Sequence, residues 1–374
     1  MPRFAHMLVE GMQARGHRVE LLKPAAQLSR LPAPAFLSKW LGYLDQYVVF
    51  PAKIRRHLKA SAPDTLFVFT DHALGPWLPL IKRRPHVIHC HDFLAQSAAL
   101  NQIPESTLRW SGKQYQAFIR RGYAKGENFI SVSQKTREDL HRFLPAPPLR
   151  SEVVYNGFNQ TFEPLEPANA RAWLDRRTGL DLFGGYLLHV GGNQWYKNRQ
   201  GVIEIYNAWR AAGPPPLPLL LIGAAPSEAL LATQVHSPYA SDIHFLTDVE
   251  DETVRQAYSG ATVFLFPSLA EGFGWPIAEA MAAGCPVITT QEAPMTEVGA
   301  LAAFYVPRRP THGNVAAWAT ESAHVVQQVV VLSPVERQAV LAAGAANANR
   351  FETAGALNLI EAIYKDIVNT VEKT

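Results

Sequence analysis

Two glutamates lie eight positions apart in the stretch EGFGWPIAEAMAAGCPVITT, residues 271–290. Pro276 suits the first turn of a helix, because its missing N–H needs no partner there. Glu271 therefore precedes the predicted helix, and Glu279 lies in its first turns. A helix N-terminus presents free N–H groups and a partial positive charge, so it attracts phosphate rather than carboxylate. The reason for placing two carboxylates beside this helix start must therefore be sought in the surrounding residues.

The residues around Glu271, TVFLFPSLAEGFGWPIAEA, predict a strand, a loop and a helix in that order. The loop then lies at the carboxyl end of a strand, where open α/β sheets bind ligands. Gly272 and Gly274 allow backbone N–H groups to approach a ligand closely. The alternative is that both glycines only turn the chain, but the neighbouring carboxylate favours a binding loop.

A second strand-to-helix turn is predicted in HVGGNQWYKNRQG, residues 189–201. Gly191 and Gly192 precede Lys197, whose ammonium group suits a phosphate. The turn has neither the G-x-G-x-x-G pattern of dinucleotide sites nor the G-x-x-x-x-G-K-[ST] pattern of a P-loop, so the glycine pair alone says little. The alternative is a lysine on the solvated first turn of a helix.

Histidines end a predicted strand in HVIHCHDFL, residues 86–94. Strand alternation places His89 and His91 on one side if the strand extends that far. With Asp92 they could form half of a metal site, but a catalytic zinc needs about three protein ligands and no partner motif is visible. We favour a polar His91 at the mouth of the strand, facing a cleft. A buried, hydrogen-bonded histidine is the alternative, and no metal site is predicted.

Short apolar runs alternate with helix-like segments along the chain, which is typical of parallel sheets with crossover helices. The predicted strands of the first half are RVELL (18–22), TLFVF (65–69), HVIHC (86–90), NFISVS (128–133) and EVVYN (152–156). Those of the second half are YLLHV (186–190), LPLLLIG (217–223), DIHFL (242–246), TVFLF (262–266), PVITT (286–290) and AAFYV (302–306).

The alternation is interrupted between Gly157 and Gly185, where prolines and the charged segment RAWLDRR occur. The pattern predicts two doubly wound α/β domains facing across a cleft. The first domain comprises residues 1–165 together with an amphipathic C-terminal helix at 352–374, and the second comprises residues 166–351.

The start of the chain, PRFAHMLVEGMQARGH, is helix-like and runs directly into RVELL. A doubly wound domain normally opens with a strand and a glycine-rich turn, so we expect the first strand to be missing. Either the natural start lies further upstream, or the sheet is completed in another way.

Composition limits the class of protein. The 374 residues are 48% hydrophobic, enough for two or three domains with large cores. No run of about 18 apolar residues and no signal-peptide core is found, so a cytoplasmic protein is expected. Cys90 and Cys285 are isolated, which argues against a disulfide framework or a zinc cluster.

The net charge of +3 hides an asymmetry between the two halves. Residues 1–165 carry 22 Lys and Arg against 12 Asp and Glu, and residues 166–374 carry 13 against 20, so the halves have charges of +10 and −7. A basic half suggests an anionic partner such as a membrane surface or a nucleic acid. The alternative is a solvated basic face.

Taken together, three segments resemble the donor half of retaining glycosyltransferases of the GT-B fold, family 4. They are HVGGNQWYKN, FLTDVEDETVRQAYSGATVFLFPS and EGFGWPIAEAMAAGCPVI, and the glutamates of the last match the family's E-x7-E motif. In the first half, HDF, SVSQKTREDL and VVYNGFN are similar to family segments in a less specific way. The resemblance spans nearly the whole chain and implies that the final helix returns to the first domain.

The resemblance also implies roles for the residues. Glu271 would hold the donor sugar and Glu279 the nucleotide ribose, which agrees with chemistry because a carboxylate only accepts hydrogen bonds and a sugar is rich in O–H donors. Lys197 and helix N–H groups would face the diphosphate. The predicted catalytic residues are His91 and Glu271. The predicted donor-binding residues are Gly192, Asn193, Lys197, Gly272, Phe273, Gly274, Pro276, Ile277 and Glu279.

One departure from the family pattern stands out. Many relatives carry an arginine just after the glycine of the strand-turn, where this chain has Gly192 or Asn193. Neutralisation of the diphosphate would then depend on Lys197, with Arg199 as a further candidate.

The predicted function is the transfer of a hexose from a nucleotide-sugar donor to a glycan or lipid-linked acceptor, with retention of configuration. No D-x-D motif occurs, so neither a metal nor another cofactor is predicted. The basic first domain, with aromatic residues in KWLGYLDQYVVF, predicts peripheral binding to the inner face of a membrane. The alternatives are a non-catalytic sugar-nucleotide-binding paralogue and a nucleic-acid binder. The latter would use KIRRHLK (53–59) and IKRR (81–84), but no nucleic-acid-binding motif accompanies them.

Overall fold

The structure is a computed structural model that describes residues 2–32, 34–158 and 160–371. The helices of the first half are α1 (Pro2–Ala14), α2 (Ala35–Leu44), α3 (Phe50–Ala60), α4 (Leu78–Ile81), α5 (Leu94–Ala99), α6 (Trp110–Tyr123) and α7 (Gln134–Phe143). Those that follow are α8 (Pro167–Thr178), α9 (Arg199–Ala211), α10 (Glu228–Val235), α11 (Asp251–Gly260), α12 (Trp275–Ala282), α13 (Met295–Gly299), α14 (Val315–Val330), α15 (Pro334–Ala348) and α16 (Thr353–Val371).

The strands form two parallel sheets. The first sheet, in the order β1-β2-β3-β4, contains β1 (Phe67–Phe69), β2 (His86–Cys90), β3 (Asn128–Ser131) and β4 (Arg150–Val153). The second, in the order β10-β9-β8-β5-β6-β7, contains β5 (Leu187–Val190), β6 (Leu219–Gly223), β7 (Ile243–Thr247), β8 (Val263–Phe266), β9 (Val287–Thr290) and β10 (Phe304–Val306). These sheets confirm the predicted α/β fold class.

The order of the second sheet reverses between β5 and β8. These strands pair directly, with Leu187 opposite Val263 and Leu188 opposite Phe264. The chain leaves β5 and β8 at the same edge of the sheet and enters α9 and α12, respectively. The two turns predicted to bind a ligand therefore emerge side by side, at the position where doubly wound sheets bind ligands.

Both faces of the second sheet are covered by helices, so its inner strands β5, β6, β8 and β9 are largely buried, whereas the edge strands β7 and β10 are partly exposed. One core contains Leu188, Leu220 and Phe264 with residues of α11 and α12. The other contains Leu187 and Leu219 with residues of α9 and α14. This double burial explains why the inner strands of this sheet are mostly apolar runs.

One predicted strand is wrong. RVELL (18–22) forms no strand and pairs with none of the described strands. A strand requires a neighbour whose backbone N–H and C=O groups complete the ladder, and within the described residues β1 is an edge strand paired only with β2. Val19 and Leu22 nevertheless pack against the hydrophobic clusters of the first half.

The C-terminal helix α16 returns to the first half of the chain, as predicted; positions 372–374 of the predicted helix lie outside the described residues. Leu357 and Ile360 of α16 share a core with Phe4 of α1 and Val87 of β2. The hydroxyl of Tyr364 lies 2.6 Å from Nε2 of His89. The last helix therefore completes the covering of the first sheet.

Within the described residues, no helix taken singly combines the length and the apolar character needed to cross a bilayer. One pair, Val315–Val330 with Pro334–Thr370, passes the same criteria jointly, although its two parts are bent by 104°.

Candidate functional site

The two turns at the reversal of the second sheet are joined by an ion pair. Nζ of Lys197 lies 2.7 Å from Oε1 of Glu271. The same carboxylate oxygen lies 2.7 Å from Oγ of Ser268. The Lys197 and Glu271 side chains are 15% and 9% exposed, so the pair is largely shielded from water. The ammonium group also faces the ring of Phe266, 4.9 Å from its centroid.

Asn198 explains how Lys197 is held in place. Its backbone has a left-handed φ of 51°, which asparagine tolerates better than most residues. Its Oδ1 caps α9 by accepting from Gly201 N at 3.2 Å, and its Nδ2 donates to the carbonyl of Pro267 at 2.9 Å. This side chain therefore ties the turn after β5 to the turn after β8.

The turn from Gly272 to Gly274 leads directly into α12. Gly274 has a φ of 103°, a conformation that strongly favours glycine, and Pro276 lies in the first turn as predicted. Within the described residues, no acceptor pairs with the N–H groups of Phe273 and Gly274. Free N–H groups at the start of a helix attract anions.

Two of the predicted donor-binding residues can offer only their backbone. The ring of Phe273 is buried, and its centroid lies 5.4 Å from that of Phe351. The side chain of Ile277 is also completely buried. Pro276 is partly exposed and lies between them.

Glu279 lies one helical turn further into α12 and faces Tyr258. The Tyr258 hydroxyl donates to Oε2 of Glu279 at 3.1 Å. Burial raises the pKa of Glu279 to about 7, although the hydrogen bond from Tyr258 and the charge of Lys197 act in the opposite direction. This carboxyl group therefore titrates near neutral pH.

Asn193 and Arg199 form a separate contact behind the Gly191–Gly192 turn. Nη1 of Arg199 donates to Oδ1 of Asn193 at 2.5 Å and to the carbonyl of Ala224 at 2.8 Å. The Arg199 side chain is buried, its guanidinium carbon lies 5.3 Å from the centroid of the Phe245 ring, and its Nε and Nη2 atoms have no hydrogen-bond partner within the described residues. Both side chains thus support the loop rather than pairing with the Lys197–Glu271 couple, and Gly192 contributes backbone alone.

The first half of the chain contacts the Gly272 turn directly. A Cβ atom added at Gly272 would lie only 1.7 Å from the carbonyl oxygen of His91 and 2.8 Å from Cβ of Asp92. The hydroxyls of Ser133 and Thr136 lie 2.7 Å and 3.0 Å from the carbonyl oxygen of Gly272. The structure therefore brings the backbone of His91 against the residue that follows Glu271.

His91 is neutral in this setting. Its Nε2 donates to the carbonyl of Thr70 at 3.0 Å, and Phe4 packs edge-on against the ring. Burial lowers the pKa of His91 to about 4, against the opposing charge of Asp71. Burial raises the pKa of Asp92, opposed by His72, and the Asp92 carboxylate accepts from Leu94 N at 3.0 Å. His91 can act as a polar contact but not as a cation at pH 7.

The other histidine of this strand is structural. His89 is buried, bonded to Tyr364, and burial lowers its pKa to about 3. It is the buried, hydrogen-bonded histidine considered as an alternative for this strand. The described residues contain no group of three His, Cys, Asp or Glu side chains that could hold a metal ion.

Comparison with known proteins identifies the family of the chain. The sequence profile described as Glycosyltransferase Family 4 matches residues 1–162, and the profile Glycosyl transferases group 1 matches residues 184–328. The chain belongs to glycosyltransferase family 4.

Relatives in family 4 include two curated mannosyltransferases. The O-antigen chain mannosyltransferase B of Escherichia coli is 28% identical over 171 residues, which is 45% of this chain and 44% of that protein. The phosphatidyl-myo-inositol mannosyltransferase of Mycobacterium leprae is 26% identical over 384 aligned positions, which cover 98% of this chain and 92% of that protein.

A solved structure, that of Anabaena HepE in complex with UDP and glucose, superposes with a TM-score of 0.65. It is 18% identical, and the superposition covers 89% of this chain and 84% of HepE. At this identity the likeness establishes the GT-B fold alone.

Several residues around the site were not predicted from the sequence. They are Ser133, Thr136, Tyr258 and Ser268. The N-cap position of Ser133, before QKTRED, is the one local signal that could have drawn attention to α7. Nothing in the local sequence indicates that its hydroxyl reaches residue 272.

Proposed function

We propose that the chain transfers a hexose from a nucleotide-sugar donor to a glycan or lipid-linked acceptor, with retention of configuration and without a metal ion. The observation that carries this proposal is the Lys197–Glu271 pair beside the free N–H groups of the Gly272–Gly274 turn. A cation, an acceptor-only carboxylate and a helix N-terminus together suit a diphosphate joined to a sugar.

Each group then has a part in binding the donor. The carboxylate of Glu271 accepts hydrogen bonds from sugar hydroxyls, and that of Glu279 accepts them from the ribose. Lys197 and the N–H groups of Phe273 and Gly274 face the diphosphate. As the bond to the sugar breaks, negative charge grows on the phosphate oxygens, so these donors stabilise the transition state more than the ground state.

The present contact between Lys197 and Glu271 has a consequence for binding. Without a donor, each charge neutralises the other, so neither remains uncompensated in a shielded site. An arriving diphosphate would take over part of the Lys197 charge, and a sugar would supply O–H donors to Glu271. A complete nucleotide sugar, which supplies both a diphosphate and sugar hydroxyls, should therefore bind this pair better than a free nucleoside diphosphate or a free sugar.

The identity of the donor is proposed from the relatives. HepE was solved with UDP and glucose, and the two curated relatives are named as mannosyltransferases. These names support a nucleoside diphosphate and a hexose. The acceptor side would be formed by His91 and Asp92, which lie against Gly272 from the first half.

Retention is proposed together with a front-face route, in which the leaving phosphate oxygen accepts the proton of the attacking hydroxyl. The bond from the anomeric carbon to the phosphate oxygen breaks as the bond to the acceptor oxygen forms. Lys197 and the free N–H groups of the turn support this route, because they would stabilise the leaving phosphate while it accepts that proton. No side chain needs to form a covalent intermediate.

The test combines binding with turnover. The purified chain is incubated with a panel of nucleoside diphosphate sugars, and its thermal stability is measured, because a ligand at 100 times its Kd stabilises the folded state by about 2.7 kcal/mol. Donors that stabilise it are then supplied with glycan or lipid-linked acceptors, and the anomeric configuration of the product is determined by NMR. Activity that persists in EDTA supports metal independence.

Two outcomes would contradict the proposal. Stabilisation without transfer or donor hydrolysis favours the non-catalytic paralogue, which is supported by Gly192 or Asn193 in place of the family arginine and by the missing first strand. An inverted product contradicts the front-face route.

We also propose that the first half binds a membrane surface. A continuous row of rings runs over its exterior, from Trp40 to Tyr43, Tyr47 and Phe118, with neighbouring centroids 5.6 to 6.2 Å apart. Trp40 is 65% exposed, so these rings are not simply a buried cluster. Aromatic rings of this kind settle at the headgroup level of a bilayer.

Exposed basic side chains follow the aromatic segment along the chain. The helix α3 follows the aromatic segment, buries Phe50 and Ile54, and exposes its charges. The exposed basic residues are Lys53, Arg55, Arg56, Lys59, Lys82 and Arg83. Each Lys or Arg near an anionic surface contributes about 1 kcal/mol to binding. Binding of these rings and basic side chains to a membrane would bring the cleft close to a lipid-linked acceptor.

Co-sedimentation with liposomes containing anionic lipid tests this orientation at low and at raised salt. Trp40→Ala should weaken binding, whereas Phe183→Ala, which removes a ring exposed to 82% in the second half, should not. Absence of binding at low salt, or an equal loss in both variants, would refute it.

A further inference from the structure

The start of α7 forms a reciprocal contact between the two halves of the chain. Ser133 caps α7 by accepting the N–H of Thr136 at 3.0 Å, and it also donates to the carbonyl of Gly272 at 2.7 Å. Thr136 Oγ1 lies 3.0 Å from the same carbonyl oxygen. Both hydroxyl-bearing side chains are completely buried. We call Ser133, Thr136 and the Gly272 carbonyl the Gly272 clamp.

The second half in turn supplies a hydrogen-bond acceptor to backbone donors of the first half. The carboxylate of Glu297 accepts from the backbone N–H groups of Gln134 and Lys135 at 2.7 and 2.8 Å. These are helix N-terminal donors that have no partner within α7. If the halves separated, the N–H groups of Gln134 and Lys135 would lose the Glu297 carboxylate, and the Gly272 carbonyl would lose both hydroxyls, which would still contact each other at 3.0 Å. The contact therefore favours the closed arrangement.

The position of the clamp is the reason for assigning it a role. Gly272 follows Glu271 directly and precedes Phe273, whose N–H group is unpaired among the described residues. The peptide unit is planar and trans, so the C=O of Gly272 and the N–H of Phe273 lie in one plane and point in opposite directions. Holding the carbonyl from the first half therefore sets the direction of this N–H.

Only glycine permits this arrangement. A Cβ atom at residue 272 would lie 1.7 Å from the His91 carbonyl oxygen, so the backbones of the two halves are in direct contact. The turn that carries Glu271 is thus held on its first-half side by His91, Ser133 and Thr136, and on its other side by Lys197.

We propose that Ser133 and Thr136 are positioning residues that make the geometry of the donor-binding turn depend on closure of the two halves. When the contact opens, the Phe273 N–H loses its fixed direction, and when it closes, this N–H faces the donor; Glu271 stays held by Lys197 and Ser268 of its own half. This inference rests on the proposed function for its consequence in catalysis. The clamp itself can be tested without any ligand.

The first experiment measures hydrogen–deuterium exchange of the unliganded chain. Thr136→Val keeps the branched shape of the side chain and removes the hydroxyl. A lost hydrogen bond of about 0.5–1.5 kcal/mol should accelerate exchange in peptides covering residues 271–282, in the other half, by about 2-fold to 12-fold. Thr136→Ser should restore the exchange rate.

The matched control is Thr178→Val. The Thr178 hydroxyl also donates to a backbone carbonyl, that of Leu174 at 2.8 Å, but within one helix of the second half. It should leave exchange over residues 271–282 unchanged. Equal exchange of these residues in the Thr136→Val variant, the Thr178→Val variant and the unsubstituted chain overturns the clamp.

The second experiment measures transfer with a donor identified as above. Thr136→Val should lower kcat by about 2-fold to 12-fold, the range that the same lost hydrogen bond gives, and the Kd of the free nucleoside diphosphate should change less than kcat does. If Thr136 had a purely structural role, kcat and the Kd of the nucleoside diphosphate would worsen to a similar extent. Thr136→Ser should recover kcat. If transfer by the unsubstituted chain is observed but kcat of Thr136→Val is normal, the link to catalysis is refuted. If no donor is transferred, the proposed function fails, and the exchange experiment still decides whether the clamp exists.

Discussion

Replacing Lys197 by methionine removes one member of a shielded ion pair while keeping most of the volume of the side chain. The pair has an N–O distance of 2.7 Å and side-chain exposures of 15% and 9%. At an effective dielectric constant of about 20, the Coulomb attraction at this distance is about 6 kcal/mol. Desolvation offsets part of this energy, and removing one partner of a buried pair costs about 3–5 kcal/mol.

The expected loss is large enough to measure by thermal unfolding. A change of 1 kcal/mol shifts the Tm of a domain of about 150–250 residues by roughly 2–4 °C, so Lys197→Met should lower the Tm of the second half by about 6–20 °C. The Glu271 carboxylate would remain buried beside Ser268 without its cation. Unfolding should be followed by circular dichroism and by calorimetry, because the two halves can unfold in separate transitions.

The double variant Lys197→Met/Glu271→Gln isolates the interaction. It has no unpaired charge, so its loss of stability should be smaller than the sum of the two single losses by about 1–3 kcal/mol. The matched control is Lys365→Met, which removes a lysine that is 60% exposed and paired with Glu361, and this change should cost at most about 1 kcal/mol. Strict additivity of the changes at Lys197 and Glu271 would refute the argument that the pair is held as a unit.

Further predictions concern the reaction. Glu271→Gln should lower turnover by about 10-fold to 1,000-fold, because a neutral amide accepts sugar O–H bonds less strongly in the transition state; unchanged kcat contradicts its role. His91→Ala should impair transfer more than nucleotide binding, and equal losses would contradict its acceptor-side placement. The pKa of Glu279, about 7, predicts that donor affinity, measured by titration calorimetry, rises with pH through about 7 as the carboxylate forms. Tyr258→Phe should move that midpoint to higher pH, because the hydroxyl stabilises the carboxylate.

The raised pKa of Glu279 has an opposite effect on folding. Its pKa is higher in the folded chain than the usual 4.5, so the folded state holds the proton more tightly. Stability from this group is present below pH 4.5 and is lost as the pH rises through about 7. A pH above about 7 therefore favours donor binding but removes the contribution of Glu279 to folding stability.

Most of the second half could be predicted from its sequence, because strands buried on both faces must be apolar along their length. Six predicted strands there match six observed strands within one or two residues. The segment RVELL has the composition of a strand but forms none. Composition reports that a segment is suited to a sheet, whereas a ladder also needs a neighbour.

The sequence by itself determined the two strand-to-helix turns, the helix start at Pro276 and the spacing of Glu271 and Glu279, because these depend on neighbours within a few residues. Only the tertiary structure decided which charges meet. Lys197 and Glu271 are 74 positions apart, and Ser133 and Gly272 are 139 apart. Such contacts depend on the order of the strands and on how the halves close, and hydrogen bonds between side chains and distant backbone carbonyls leave no periodic pattern in a sequence.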